Sequence, residues 1–264
     1  MSYLAYVANS GANNILVVNT GTGSILSSFI SGAAPSGIII SPNGASAYSA
    51  NYSAKTVSRI STAFRSVQAT MAVGNNPFGL ALSSVNGNLY CTNYGDGTVS
   101  VISTSTNAIL ATLTVGYQPN GIAITPDGTK AYVANGDTTV SVISGISSSG
   151  YGSVTSTISV GSGSTGVAVS PDGTKVYVAN VYDNTVSVIT VSTGAVSSTI
   201  TVGSQPNRLA FTPDGTKVYV SNAASSSVSV INVSAGTVST LALSPYSSPF
   251  GIAISPDGTF AYVA

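Results

Sequence analysis

The chain of 264 residues contains no histidine and no tryptophan, its seven acidic residues are all aspartates, and it has a single cysteine. Without histidine, a general base or nucleophile relay built on imidazole is excluded. One cysteine cannot form a disulfide within the chain, and it cannot supply the ligands of a zinc site. The seven cations are scattered and balanced by the seven anions. They do not form the basic surface that binds phosphates, so we expect no nucleic-acid partner.

Long apolar runs are missing as well. No stretch of about 20 apolar residues occurs, so no membrane-spanning helix is expected. The first residues, Met1 to Leu4, lack a basic region followed by an apolar stretch and do not predict a signal peptide. Only 5% of the residues are charged, and serine, threonine, asparagine and glycine take their place. Hydroxyl and amide groups must therefore hydrate the surface, while 43% hydrophobic residues suffice for a core.

What the sequence does contain is an internal repeat about 42 residues long. A phrase of the type Tyr-Val-Ala-Asn follows a Pro-Asp-Gly turn and precedes a Thr-Val-Ser-Val-Ile segment in the most regular copies. Pro and Gly preset a tight turn, and the alternation of Val with Ser has the period of a strand. The phrase begins at Tyr6, Tyr48, Tyr90, Tyr132, Tyr177 and Tyr219, and a seventh copy begins at Tyr262.

Each period predicts four short strands and no helix, which is the pattern of propeller blades. We therefore expect an all-β fold, a β-propeller of four-stranded antiparallel blades, with residues 1–264 forming a single domain. Counting strands gives six periods plus one extra strand, 25 in all. A seven-bladed plan that stops incomplete at the C-terminus is favoured. The alternative is a six-bladed closed ring, in which the strand near 252–254 pairs with the first blade.

The repeat resembles the YVTN-repeat β-propeller family, known from archaeal and bacterial surface-layer-type proteins. The matching segments are Pro-Asp-Gly-Thr-Lys-Val-Tyr-Val-Ala-Asn at 171–180, the Thr-Val-Ser-Val-Ile cores and the Val-Gly-x-x-Pro linkers. The resemblance covers nearly the whole chain. It implies that the Gly-Ile-Ala strand lies innermost, that loops on one rim bind ligands, and that the protein is extracellular or attached to the cell surface.

Residues that break the repeat are the candidates for function. Arg208 stands where the other copies carry glycine, at the start of an innermost strand. A guanidinium there could clamp a carboxylate or a phosphate, or it could simply fill the channel. The glycines at the corresponding positions are Gly37, Gly79, Gly121, Gly166 and Gly251.

Aromatic and acidic residues are predicted on the same rim. Rings beside Asn and Gln side chains suit sugar binding, although a ring may only cover the neighbouring blade. Three aspartates would bind calcium only if they converged, and turn capping is the alternative. The aromatic candidates are Tyr52, Tyr94, Tyr182, Tyr117, Phe78, Tyr246 and Phe250, and the acidic ones are Asp96, Asp137 and Asp183.

Three functions follow in order of preference. The first is a non-catalytic structural, adhesion or protein-interaction scaffold at the cell surface, without cofactor or metal. The second is a carbohydrate-binding, lectin-like propeller. The third is an enzyme of the sugar-lactone hydrolase or lyase type, disfavoured because the chain has neither histidine nor glutamate. A protein or surface-polysaccharide partner and self-association are compatible with the first two.

Overall fold

A computed structural model describes residues 3–244 and 247–264, which are built almost entirely of β-strands. One short 3-10 helix, Ser10–Ala12, is the only helical element in these ranges. None of the described helices is long and apolar enough to cross a membrane. The chain divides into two compact units, the first ending at Pro119 and the second beginning at Asn120.

The first unit contains one three-stranded and two four-stranded antiparallel sheets, in the strand orders β1-β2-β3, β4-β5-β6-β7 and β8-β9-β10-β11. Its strands are β1 Leu4–Asn9, β2 Asn14–Asn19, β3 Ile25–Ile30, β4 Pro35–Ile40, β5 Ser46–Asn51, β6 Thr56–Ser61, β7 Ser66–Ala72, β8 Pro77–Leu82, β9 Leu89–Asn93, β10 Thr98–Ile102 and β11 Ile109–Thr114.

The second unit contains three further four-stranded sheets and a strand pair, in the orders β12-β13-β14-β15, β16-β17-β18-β19, β20-β21-β22-β23 and β24-β25. Its strands are β12 Pro119–Ile124, which starts one residue before the boundary, β13 Lys130–Asn135, β14 Thr139–Ser147, β15 Gly150–Ser159, β16 Ser164–Val169, β17 Lys175–Asn180, β18 Thr185–Thr190, β19 Ala195–Thr201, β20 Pro206–Phe211, β21 Lys217–Asn222, β22 Ser227–Asn232, β23 Val238–Ala242, β24 Ile252–Ile254 and β25 Ala261–Val263.

The predicted fold class is confirmed. Within the described ranges the sheets make six blades, five with four strands and the first with three, followed by the extra pair β24–β25. Ile252 pairs with Val263 and Ile254 with Ala261, so the strand near 252–254 begins a seventh period. The 25 strands agree with the count predicted from the repeat. That residues 1–264 form a single domain stays a prediction.

Tyrosines of the repeated phrase lie between neighbouring blades. In the second unit, Tyr132 on β13 shares a core cluster with Val176 and Val178 on β17. Tyr177 packs in the same way with Leu209 and Val218 of the next blade. In the five four-stranded blades the second strand is largely buried on both faces, which explains its uninterrupted apolar run. Burying one valine fully contributes about 1.5–3 kcal/mol relative to leaving it exposed.

Side chains of the repeat also fix its loops. The asparagine that ends the phrase donates both amide hydrogens to hydroxyls of the third strand, as Asn93 does to Thr98 and Ser100 at 2.9 Å each. The aspartate of the Pro-Asp-Gly turn accepts hydrogen bonds from its own turn. The Oδ1 atom of Asp127 accepts from the Thr125 hydroxyl at 2.5 Å and from the Thr129 amide at 3.1 Å. Both residue types therefore serve the fold.

Glycine at the start of the inner strand lets neighbouring blades approach closely. A Cβ atom added to Gly121 would lie 2.6 Å from the carbonyl oxygen of Thr165. One added to Gly166 would lie 2.3 Å from the carbonyl oxygen of Asn207. Real Cβ atoms do not approach backbone this closely, so these positions require the absence of a side chain.

Candidate functional site

Arg208 occupies the glycine position of the inner strand β20 in the second unit. The strands β20 and β24 are neighbours there, and Arg208 lies beside Phe250 at the start of the next repeat. The side chain is partly buried, with part of its surface still accessible. The sequence had predicted both residues as candidates, and the structure brings them together.

The guanidinium of Arg208 is oriented by three described contacts. Its Nη2 donates to the amide oxygen of Asn120 at 2.9 Å, and its Nη1 donates to the carbonyl oxygen of Asn207 at 3.3 Å. Its Cζ lies 4.8 Å from the centre of the Phe250 ring, a cation–π distance. An amide, a carbonyl and an aromatic face therefore hold the planar cation in one orientation.

Ser221 supports this arrangement through the backbone and was not predicted. Its hydroxyl accepts a hydrogen bond from the amide of Arg208 at 3.1 Å and donates one to the carbonyl oxygen of Phe250 at 2.8 Å. Ala134 and Ala179 stand at the corresponding position in two sister repeats. The change from Tyr-Val-Ala-Asn to Tyr-Val-Ser-Asn was the signal in the sequence that could have identified it.

Burial affects the protonation equilibrium of Arg208. Desolvation lowers the pKa of its guanidinium to about 10, because a poorly hydrated site disfavours the charged form. At neutral pH the group is still a cation. A partly desolvated cation interacts more strongly with an anionic ligand than one in bulk water does, since the local dielectric constant is lower.

Three predicted aromatic residues come together in the first unit, and we call Tyr52, Phe78 and Tyr94 the ring cluster. The rings of Tyr52 and Phe78 are 6.2 Å apart and nearly perpendicular, with an interplanar angle of 84°. The rings of Tyr52 and Tyr94 are also 6.2 Å apart, tilted by 49°. All three side chains are half-buried, so each keeps an accessible part.

Asp96 links the loop before strand β8, the strand that carries Phe78, to the loop that carries Tyr94. Its carboxylate accepts hydrogen bonds from the backbone amide and the side-chain amide of Asn75, each at 2.6 Å. These hydrogen bonds hold the pKa of Asp96 below its usual value. The amide of Tyr94 donates to the carbonyl oxygen of Asn76 at 3.0 Å, which completes the link. The ring cluster is therefore positioned by its own loops.

Of the other two candidate aspartates, Asp137 binds its own loop and Asp183 binds the loop before strand β16. Asp137 accepts from the amide and the hydroxyl of Thr139, at 2.8 and 2.6 Å. Asp183 accepts from the amide of Ser162 at 2.8 Å. No group of three or more His, Cys, Asp or Glu side chains that could hold a metal ion occurs in the described part of the chain.

The remaining aromatic candidates differ in their surroundings. Tyr182 exposes 74% of its surface and Tyr117 exposes 65%. Tyr182 lies against the loop at Gly163, where an added Cβ would meet its ring carbon at 2.5 Å. Tyr246 lies outside the described residues. A ligand role for these residues stays a prediction.

Comparison with protein families gives one match. The model of the family described as "Lactonase, 7-bladed beta-propeller" matches residues 116–249. This range includes Asn120, Asn207 and Arg208, and it ends one residue before Phe250. No curated protein matches the chain in sequence.

Solved structures with a similar fold include enzymes. Hydrazine synthase from Kuenenia stuttgartiensis is 26% identical, with a TM-score of 0.78 over 87% of this chain and 73% of the other. A functionally unknown protein from Desulfotomaculum acetoxidans is 19% identical, with a TM-score of 0.84 over 98% and 88%. A catalytically inactive His-to-Ala variant of virginiamycin B lyase from Staphylococcus aureus, solved with quinupristin, is 16% identical, with a TM-score of 0.81 over 100% and 96%.

These matches correct the expectation that the chain is not an enzyme. That expectation was wrong, because the matched family consists of lactonases and the similar structures include a lyase and a synthase. It rested on the missing histidine and glutamate, yet a positioned cation can stabilise a transition state without either residue type. The β-propeller family is confirmed, whereas the finer relation to YVTN repeats and surface layers stays a prediction.

Proposed function

Because the chain belongs to the family of seven-bladed β-propeller lactonases, we propose that its second unit opens the ring of a small lactone by hydrolysis. The observation that carries this proposal is the guanidinium of Arg208, which stands in a glycine position and is held against Asn120 and Phe250. The sister repeats carry glycine at this position and still form strands, so the fold does not require a cation there.

The chemistry requires stabilisation of a developing negative charge. Water adds to the carbonyl carbon of the lactone, and the carbonyl oxygen becomes an oxyanion. The ring C–O bond then breaks, the ring oxygen takes up a proton, and a hydroxy acid is released as its carboxylate. Arg208 would donate hydrogen bonds to the oxyanion and then to the carboxylate, and such charge-assisted hydrogen bonds are the strong ones.

Proton transfer from the attacking water to the ring oxygen must take place without a histidine side chain. In the similar virginiamycin B lyase, a variant that lacks one histidine is catalytically inactive. This chain has no histidine at all, so it cannot reproduce that step. We propose that solvent hydroxide or water is the nucleophile, that Asn120 and Arg208 orient the substrate carbonyl, and that the rate rises with pH as long as Arg208 stays protonated.

The test is hydrolysis of sugar γ- and δ-lactones, followed by pH-stat titration of the acid released. The informative variant is Arg208→Gly, because it restores the residue of the sister repeats and should leave the fold intact. Removal of one oxyanion donor typically lowers the rate by about 100-fold or more, so we expect kcat/KM to fall by about that factor. Tyr151→Ala, on the outer strand β15 of the same unit, is the matched control.

Two results would contradict the proposal. One is that no lactone of the panel opens faster than in buffer alone. The other is that Arg208→Gly opens lactones as fast as the parent chain does. Arg208→Lys adds a finer comparison, since lysine keeps the charge and loses the planar two-nitrogen geometry.

We also propose that the protein works outside the cell or at the cell surface. The support is the uncharged, hydroxyl-rich composition and the resemblance of the repeat to surface-layer-type proteins. Protease treatment of intact cells, followed by detection of the chain, is the test. Complete protection of the chain in intact cells, with cleavage after lysis, would contradict this location.

A further inference from the structure

We infer that the ring cluster Tyr52–Phe78–Tyr94 binds neutral carbohydrate chains. The cluster lies in the first unit, outside residues 116–249 that match the lactonase family. It shares no residue with the Arg208 site.

The aromatic residues are departures from the repeat, so the fold alone does not account for them. Tyr52 and Tyr94 directly follow the asparagine that ends the repeated phrase. The corresponding residues in three other repeats are Gly136, Val181 and Ala223. A blade therefore forms without a ring at this position, and two adjacent blades of the first unit carry one.

Phe78 is a departure of the same kind. It is the second residue of the inner strand β8, where Ser36, Asn120, Thr165 and Asn207 stand in four other repeats and the last repeat again carries an aromatic residue, Phe250. The structure places its ring against Tyr52, and Tyr52 against Tyr94. Three separate departures from the repeat thus converge on one place.

The geometry suits a sugar ring. The rings of Tyr52 and Phe78 meet at 84° and form a corner, and Tyr94 is tilted by 49° beside them. The C–H bonds on the apolar face of a pyranose carry partial positive charge and pack on the negative face of an aromatic ring. The two phenol hydroxyls and the amide of Asn76, whose Nδ2 lies 3.5 Å from the carbonyl oxygen of Tyr52, can bind sugar hydroxyls.

The charge around the cluster favours an uncharged ligand. Asp96 lies in the loop after Tyr94, and the nearby cation Lys55 acts on its carboxylate. One anion and one cation leave no net charge to attract phosphates, in contrast to the basic grooves that track a nucleic-acid backbone. The hydrogen bonds between Asp96 and Asn75 hold the loops before ligand binds, which reduces the entropy lost on binding.

The experiment titrates the full chain with a panel of neutral oligosaccharides: cello-, xylo-, manno- and chito-hexaose. Saturation-transfer NMR identifies a binder and shows which sugar protons touch the protein, and calorimetry gives the affinity. We expect one class to bind with its axial C–H protons saturated most strongly. Tyr52→Val and Tyr94→Ala, which copy Val181 and Ala223 of the sister repeats, should each weaken binding about 10-fold, an effect in the range of single stacking contacts.

Controls separate this site from the hydrolytic one. Phe64→Ala removes an exposed aromatic ring of the same unit, 80% accessible, and should leave the sugar affinity unchanged, and so should Arg208→Gly. The inference is overturned if none of the hexaoses binds at millimolar concentration, or if Tyr52→Val and Tyr94→Ala bind as the parent does. It is also overturned if proline-rich peptides bind the cluster and the sugars do not. None of these results depends on whether the chain hydrolyses lactones.

Discussion

The two units use the same repeat but build their candidate clusters from different side chains: aromatic rings in the first unit, and amides and a guanidinium beside one aromatic ring in the second. In the first unit, the residues that follow the phrase are Tyr52 and Tyr94, and the inner strand contributes Phe78. In the second unit, the inner strands contribute Asn120, Asn207 and Arg208. The apolar core positions and the asparagine hydrogen bonds are alike in both. The comparison teaches that the scaffold tolerates substitution at the second residue of the inner strand and just after the phrase, and that in β20 it also accepts Arg208 at the third residue, where the other repeats carry glycine.

The largest effect is expected where this tolerance ends. Gly166→Ala places a Cβ atom 2.3 Å from the carbonyl oxygen of Asn207. Backbone must then move, and we expect a loss of about 3 kcal/mol in the free energy of unfolding. Arg208→Gly at the same repeat position should cost about 1 kcal/mol or less, the usual penalty of glycine within a strand. Urea unfolding of both variants measures the difference, and equal stability would mean that the two positions do not differ in their packing demands.

Substitutions at the two sites should impair different activities, and one experiment measures both activities in both variants. Arg208→Gly should lower lactone kcat/KM by about 100-fold and leave sugar affinity unchanged. Tyr94→Ala should lower sugar affinity by about 10-fold and leave lactone hydrolysis unchanged. The reason is that each substitution removes contacts of one cluster only. If either variant impaired both activities, the two clusters would have to be treated as one site.

The smallest effect is expected from a change of pH. It should affect the Asp96 loop of the first unit in acid and Arg208 of the second unit in base. In the first unit, hydrogen bonds from Asn75 lower the pKa of Asp96, so its contribution is present above about pH 4 and lost as the pH falls through the lowered pKa. We expect sugar affinity to be flat at neutral pH and to fall about threefold in acid, the effect of one hydrogen bond. Asp96→Asn should remove this dependence.

In the second unit, the pKa of Arg208 is about 10. Lactone hydrolysis should therefore rise with hydroxide concentration and then fall as the pH passes about 10, where the guanidinium loses its charge. Rates of the parent chain minus those of Arg208→Gly, measured across pH, give this profile. A bell-shaped profile centred near pH 6.5 would point to a histidine, which the chain does not contain.

The repeat made the strands predictable, because period-two alternation and Pro-Asp-Gly turns act locally. The contacts at the two clusters were not predictable in the same way. Arg208 meets Asn120 from 88 residues away, and that distance is closed only when blades pack. Tyr182 was grouped with Tyr52 and Tyr94, yet it stands one residue later after its asparagine and is 74% exposed. All three tyrosines lie in turns, where a shift of one residue changes the direction of a side chain, and composition does not reveal this.

The single cysteine gives the first unit an internal reporter of opening. Cys91 lies in the second strand of its blade, fully buried in a cluster with Tyr48 and Leu89, and burial raises the pKa of its thiol to about 12. Alkylating reagents attack the thiolate, so the folded blade is inert to them at neutral pH. Each labelling event therefore records a moment when strand β9 separates from its neighbours. The rate of labelling reports local opening without any engineered probe. It gives the opening equilibrium when reclosing is faster than labelling, and the opening rate when labelling is faster.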